Sequence, residues 1–215
     1  LGAVSVVTGV SGSGKSSLLD ALADVVAAIK YAVDYRDAEV PDLLPGPGQE
    51  LRLLFVGINP GLWTAATQTH FAHPGNRFYP ALLRAGILTR AVDPAAGMTD
   101  EDREHLRERG IGITNLVRRA TARADELTAD ELREGGDRLL ATIARTRPAV
   151  VAVAGITAYR QAFGVRKAQT GEQPEPVEGA RLWVVPNPSG LNAHETVESL
   201  AVAYAEPAGA AGLLD

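Results

Sequence analysis

The chain has 215 residues, 46% of them hydrophobic, and a formal net charge of −5, which suffices for one α/β domain with a full-sized core. The absence of cysteine excludes disulfides, thiolate catalysis and cysteine-ligated metals. No apolar run reaches the ~20 residues that cross a bilayer, the four histidines lack metal-binding spacing, and nothing resembles a secretory signal. We therefore expect a monomeric cytoplasmic protein without metal or cofactor. The acidic charge weakens a role on nucleic acid without removing it, because basic side chains supply most affinity for phosphates.

Residues 1–33 contain a complete phosphate-loop sequence. A short apolar run leads into Gly9-Val10-Ser11-Gly12-Ser13-Gly14-Lys15-Ser16, and apolar residues then recur at helical spacing. In such loops the glycines expose backbone N–H groups, the lysine reaches the outer phosphates and the serine can hold Mg²⁺. The amino-acid sequence of this segment resembles the first phosphate loop of excinuclease and ABC-type ATPases as far as about residue 22.

The surroundings of this loop argue against a nucleotide-binding domain. No later strand candidate ends in the aspartate that a phosphate-loop hydrolase uses for its metal, and roughly 35 residues before the next strand are too few for a separate domain. We interpret residues 1–33 as an appendage and do not expect ATP as a partner; a phosphate-loop kinase or ATPase is the first alternative. Residues 34–50 are acidic and rich in proline and glycine, which predicts a linker.

Strand and helix patterns alternate from residue 51 to residue 205. This alternation predicts a single domain built as a three-layer α/β/α sandwich with a mostly parallel central sheet. The tail at 206–215 is rich in alanine and glycine and is expected to fray. Strands are predicted at 53–56, 111–116, 149–154 and 182–185, and helices at 76–83, 100–109, 128–147, 156–163 and 194–204.

Two of these strands run directly into turns that carry an Asn-Pro pair. The first turn is Gly57-Ile58-Asn59-Pro60-Gly61, and the second is Pro186-Asn187-Pro188-Ser189-Gly190-Leu191-Asn192. Ligands of open α/β sheets bind at the carboxyl ends of the strands. If the two strands are parallel neighbours, both turns can face one ligand.

The two turns resemble the motifs of mismatch-specific uracil/thymine DNA glycosylases. The first motif continues in Phe71-Ala72-His73-Pro74-Gly75-Asn76-Arg77-Phe78, and the segments Gly112–Val117 and Leu132–Gly136 also match in order. The resemblance implies the fold of uracil-DNA glycosylases and a monofunctional enzyme. Its partner would be double-stranded DNA with a G·U or G·T mismatch, from which it would remove uracil, with thymine and modified pyrimidines as further candidates.

The same resemblance implies roles for residues of the first motif. Asn59 would hold the water that attacks C1′ of the sugar, Phe71 would stack on the flipped base, and His70 would border the pocket. A core phenylalanine and an ordinary loop histidine are the alternative interpretations. Backbone N–H groups of the turn could also bind negative charge on the departing base. The remaining pocket residues would be Gly57, Ile58, Pro60, Gly61 and Asn187.

Residues of the second motif would contact the duplex. Leu191 would be the wedge that enters the vacated base stack, and Gly190 and Asn192 would offer backbone groups to the unpaired guanine. Ser189 would bond a phosphate or the backbone of the loop. Candidates for phosphate contacts are Arg77, Arg118 and Arg119, with solvated surface charge as the alternative.

Two departures from the family pattern affect these expectations. Gln68 stands near a position where relatives usually carry glycine, and Asn192-Ala193-His194 replaces the Ser-Arg that many relatives have after the wedge. The width of the pocket and the choice between uracil and thymine therefore do not follow from the resemblance, and one arginine contact with DNA is missing. A non-catalytic mismatch binder, which flips bases without removing them, is the second alternative.

Overall fold

In the computed structural model, the described residues are 35–214, and they form a five-stranded sheet between two layers of helices. The predicted α/β/α sandwich with a mostly parallel sheet is confirmed. The phosphate-loop residues Gly9–Ser16 lie outside the described range. The strands are β1 Leu53–Gly57, β2 Ile111–Asn115, β3 Val150–Ala154, β4 Gly171–Glu172 and β5 Arg181–Val185. The helices are α1 Leu62–Thr67, α2 Phe78–Arg84, α3 Asp100–Glu108, α4 Ala129–Thr146, α5 Ile156–Phe163 and α6 Val197–Ala210.

The strand order is β2-β1-β3-β5-β4, and every pairing is parallel except that of β4 with β5. The chain leaves β1 toward β2 and then crosses back to β3, so the connections diverge between β1 and β3. Such a point opens a crevice at the carboxyl edge of a parallel sheet. The strands that carry the two turns, β1 and β5, are parallel but not neighbours, because β3 lies between them at a total separation of about 9–10 Å.

Both faces of the sheet are buried, as the continuous apolar runs predict. Leu53 and Phe55 of β1 pack toward α2, α3 and α6, and Leu54 and Val56 pack toward α4 and α5. The ring of Phe55 meets the edge of Phe78 at 5.1 Å between centroids. Strand β1 is therefore held on both sides by core packing up to the point where the first turn begins.

Helix α4 approaches its neighbours closely through two adjacent glycines. A Cβ on Gly135 would lie 2.5 Å from the carbonyl oxygen of Leu116, and one on Gly136 would lie 2.7 Å from that of Ala162. Helix α4 begins at the predicted capping box of Thr128 and Glu131. The Gly-Gly pair in the matched segment Leu132–Gly136 thus allows close packing.

The end of the chain is ordered up to residue 214, which corrects the expected fraying. Helix α6 continues to Ala210, and Ala208 and Leu213 are buried in the core. The guanidinium groups of Arg52 and Arg109 donate to the carbonyls of Gly212 and Leu213. Small residues suit this close packing, but their partners lie more than 100 positions earlier in the chain, so local sequence does not reveal them. The polar loop at 166–179 likewise contributes the short strand β4.

The segment before β1 packs on the domain over much of the predicted linker. We call residues 35–43 the strap. Leu43 exchanges two backbone hydrogen bonds with Ile113, at 2.9 and 2.7 Å, and the N–H of Ala120 donates to the carbonyl of Ala38. Buried apolar side chains and strand-like pairing therefore fix the strap against β2 and the loop that follows β2. Within residues 35–214, no helix combines the length and apolarity needed to cross a membrane.

Candidate active site

The two Asn-Pro turns line a single cleft of about 620 Å³ at the carboxyl edge of the sheet. Gly155 follows β3 in the gap between them and has a φ of +111°. A Cβ there would lie 3.3 Å from the side chain of Ile58 and 3.8 Å from the amide nitrogen of Asn187. A glycine between the turns keeps this gap open. The cleft is also lined by Asn59, Pro60, Gly61, His70, Phe71, Asn115, Thr121, Ser189, Gly190, Leu191 and Asn192.

The side-chain amide of Asn59 is held in one orientation. Its Nδ2 donates to the carbonyls of Pro60 (3.1 Å) and Arg119 (3.2 Å) and to Oγ1 of Thr121 (2.7 Å). Carbonyl oxygens only accept hydrogen bonds, so the nitrogen must occupy this side. Among residues 35–214 no group donates to Oδ1 of Asn59. The oxygen is therefore left as an acceptor on a side chain that lines the cleft.

The loop that orients Asn59 is itself braced. The buried Thr121 hydroxyl accepts from Asn59 and donates to the carbonyl of Arg123 at 2.7 Å. The guanidinium of Arg119 binds the carboxylates of Glu131 and Asp37, and its hydrogen bonds lower the pKa of Glu131 to about 2. Because Asp37 belongs to the strap, the strap supports the asparagine through this loop.

Phe71 has a strained backbone at the floor of the cleft. Its φ is +56°, a region that bulky residues rarely adopt and that is often found at functional sites. The ring stacks on Phe78 with 4.1 Å between centroids, and the buried hydroxyl of Tyr79 donates to the carbonyl of His70 at 2.9 Å. Phe71 is thus anchored to the core and partly exposed in the cleft, and its stacking on a base stays a prediction.

His70 orients a residue that the sequence analysis did not place in the site. Its buried ring contacts the carbonyl of Pro41 through Nε2 at 2.9 Å, so Nε2 must carry the proton. Nδ1 then accepts from Nδ2 of Asn115 at 3.1 Å, which turns Oδ1 of Asn115 toward Gly57. Asn115 ends β2 at the same sheet edge as Asn59. Its place near the end of a predicted strand was the sequence signal that could have identified Asn115 as a site residue.

We expect His70 to remain neutral, in the Nε2–H tautomer, as the pH falls below its ordinary pKa of 6.5. Burial lowers the pKa of the ring, so the ring stabilises the fold above pH 6.5 and this contribution is lost as the pH falls through the lowered pKa. Ring ¹⁵N shifts measured by NMR between about pH 5 and 8 test this, with His70→Gln to assign the signals. Protonation at or above pH 6.5, or an Nδ1–H tautomer, would contradict it.

The second turn presents an exposed leucine on a braced loop. We call residues 187–192 the wedge loop. The side chain of Leu191 is 88% exposed, although burial is the usual state of leucine. Oδ1 of Asn187 accepts from the N–H of Ser189 at 3.0 Å, and Nδ2 of Asn192 donates to the carbonyl of Asn187 at 3.1 Å. The loop can therefore hold an apolar side chain in solvent.

The basic residues near the cleft already have partners. Arg118 lies 3.4 Å from the carboxylate of Asp42 and is about half-exposed, Arg119 binds two carboxylates, and Arg77 binds carbonyls of the wedge loop. Residues 35–214 contain no cluster of acidic and histidine side chains suited to a metal ion. The lining of the cleft includes the amides of Asn59, Asn115 and Asn187 and the ring of Phe71, together with the ionisable side chains of His73, Arg123 and Asp125.

The described residues thus combine an α/β/α fold with an oriented amide, an aromatic floor and an exposed leucine around one cleft. A sequence model described as the Uracil DNA glycosylase superfamily matches residues 45–206, and the chain belongs to that superfamily. Membership implies a hydrolase of N-glycosidic bonds that acts on DNA. The fold is also similar to the solution NMR structure of a provisionally assigned uracil DNA glycosylase from Methanosarcina acetivorans. That similarity has a TM-score of 0.54 at 17% identity and covers 79% of this chain and 96% of the other.

Proposed function

We propose that this protein is a monofunctional DNA glycosylase that removes uracil from G·U mismatches in double-stranded DNA, with thymine opposite guanine as a slower substrate. The observation that carries the proposal is the Asn59 amide. Its nitrogen is saturated by three protein acceptors, and its oxygen is free in a cleft that the wedge loop also borders. An acceptor held in this way is suited to a water molecule rather than to proton abstraction.

The base must leave the duplex before it can enter the cleft. We infer that the flipped pyrimidine stacks on Phe71 and that Leu191 fills the space it vacates. The acceptor of Asn115 beside Gly57 suits a base with an N–H group at its pairing edge, as uracil and thymine have. This supports pyrimidines that keep a proton on N3.

In the reaction, water bound to Oδ1 of Asn59 attacks C1′ while the bond from C1′ to N1 of the base breaks. The electron pair of that bond leaves with the base, and the attacking water loses its proton to solvent as the base is protonated. An amide cannot accept that proton, so the enzyme contributes mainly position. Turnover should be slow, and uracil should leave faster than thymine because the methyl group of thymine makes it the poorer leaving group.

Base release under single-turnover conditions tests this function. We expect abasic product without strand cleavage, fastest from a G·U duplex and slower from G·T and A·U duplexes and from single-stranded uracil DNA. A uracil-free duplex of the same sequence is the control. Normal binding of the G·U duplex with no release of base would establish the mismatch binder instead.

A further inference from the structure

One arginine donates hydrogen bonds to several backbone carbonyls of the wedge loop. Nη1 of Arg77 lies 3.2 Å from the carbonyl oxygen of Ser189 and 3.0 Å from that of Asn192, and Nη2 lies 3.5 Å from that of Gly190. The backbone N–H of Arg77 donates to the carbonyl of Pro188 at 3.0 Å. Four of the loop's carbonyls thus meet one residue.

These contacts fix the backbone of the loop on one side. The carbonyls of the loop are directed to Arg77, whereas the side chain of Leu191 stays exposed to solvent. The loop also lies close to the backbone of Gly75, since a Cβ on Gly190 would be only 2.6 Å from the carbonyl oxygen of Gly75. The wedge loop therefore rests on the segment that leads into helix α2.

The same segment connects the wedge loop to the floor of the cleft. Arg77 immediately precedes Phe78, which is buried and stacks on Phe71 at 4.1 Å. The floor and the wedge are thus held on one short piece of chain. Their separation is set by core packing rather than by a flexible loop.

We propose that Arg77 is the positioning residue of the wedge loop and that its guanidinium is directed to the loop carbonyls instead of to DNA phosphate. The proposal rests on the base flipping in the proposed function, because a wedge has meaning only for a protein that flips a base out of a duplex. Within residues 35–214 no carboxylate pairs with Arg77, and the contacts of its guanidinium there are to the three loop carbonyls. A planar guanidinium can reach several acceptors at once, whereas a lysine ammonium acts as a point charge.

Two substitutions distinguish a role of Arg77 in positioning the wedge loop from a contact with a DNA phosphate. Arg77→Lys keeps the positive charge but loses the planar set of N–H donors, and Arg77→Gln loses both the charge and the guanidinium. A positioning role predicts that both weaken binding to a similar extent. A phosphate contact predicts that lysine retains most of the affinity, and that glutamine lowers the salt slope of binding by about 0.9, the value for one lost phosphate contact.

The binding experiment uses a duplex with 2′-fluoro-2′-deoxyuridine opposite guanine, whose glycosidic bond resists hydrolysis. Dissociation constants are measured by fluorescence anisotropy between about 50 and 200 mM NaCl. We expect both variants to bind about tenfold more weakly with a salt slope within about half a phosphate contact of wild type. Arg84→Gln, an equal loss of charge at the exposed end of helix α2, should change neither value. Wild-type affinity in Arg77→Lys, or a slope lowered by about 0.9 in Arg77→Gln, would overturn the proposal.

A second measurement distinguishes positioning from a general loss of structure. Single-stranded uracil DNA has no base stack to fill, so Arg77 variants should lose about tenfold in uracil release from the duplex but less than about threefold from the single strand. Equal losses on both substrates would contradict the proposal. If the Arg77 variants do not fold, Gly190→Ala tests the placement of the loop through its other contact, because the added methyl group would crowd the carbonyl oxygen of Gly75 and push the loop away from Arg77. This variant must then weaken duplex binding without changing the salt slope. If wild type releases no uracil, the proposed function fails, while the binding experiment still decides the role of Arg77.

Discussion

Replacement of Asn59 by alanine is expected to lower the single-turnover rate of uracil release about 10²–10³-fold, the usual effect of removing one preorganised polar group from an active site. Affinity for the non-hydrolysable G·U duplex should change little, because the amide is directed to water and to its own loop. The rate is measured as abasic product formed with enzyme in excess over the duplex. Wild-type release by Asn59→Ala would remove Asn59 from the mechanism.

Thr121 supplies a matched control for this prediction. Thr121→Val keeps the shape of the side chain but removes the Oγ1 acceptor that binds Nδ2 of Asn59 at 2.7 Å, so we expect a smaller loss of about tenfold from imperfect orientation. In the Asn59→Ala background the same change should have little further effect, because the two residues act as a unit. Additive losses would indicate that Thr121 acts elsewhere.

Gly57→Ala is expected to abolish most uracil release, with a loss of about 10²-fold or more from misplacement of pocket groups. The new Cβ would lie 2.4 Å from Oδ1 of Asn115 and 3.2 Å from Cζ of Phe71. Asn115 cannot simply rotate away, since its amide nitrogen is bound to the buried His70. The methyl group therefore displaces either the acceptor or the aromatic floor. Release and duplex affinity are measured together, and both should fall.

Two other glycines test whether steric crowding causes the loss of uracil release that we expect for Gly57→Ala. Gly209→Ala places the same methyl group in open space on helix α6 and should leave release unchanged. Gly61 belongs to the same turn as Gly57 but has an ordinary φ of −75°, and a Cβ added there would meet no atom within 4 Å. Gly61→Ala should therefore lose much less activity than Gly57→Ala. Equal losses at Gly57 and Gly61 would mean that the turn, and not the contact with Asn115, is sensitive.

The strap extends the site beyond the part of the chain that defines its family. The superfamily match begins at residue 45, yet the carbonyl of Pro41 fixes the tautomer of His70 and the carboxylate of Asp37 binds Arg119. Both contacts lead on to a cleft amide, Asn115 in the first case and Asn59 in the second. The sequence pattern of this segment, rich in proline, glycine and acids, is that of a linker, because the pattern reports composition and not what the segment packs against.

The sequence by itself determined the elements whose causes are local. Apolar runs placed the strands, the pairing of Thr128 with Glu131 began helix α4, and the two Asn-Pro turns were recognisable because a few adjacent residues define each of them. Only the tertiary structure decided how these pieces serve the site. Arg77 meets the wedge loop across more than 110 positions, and His70 meets Asn115 across 45. A side chain's hydrogen-bond partners depend on which distant groups the packed core brings within about 3 Å, and no local pattern encodes that distance.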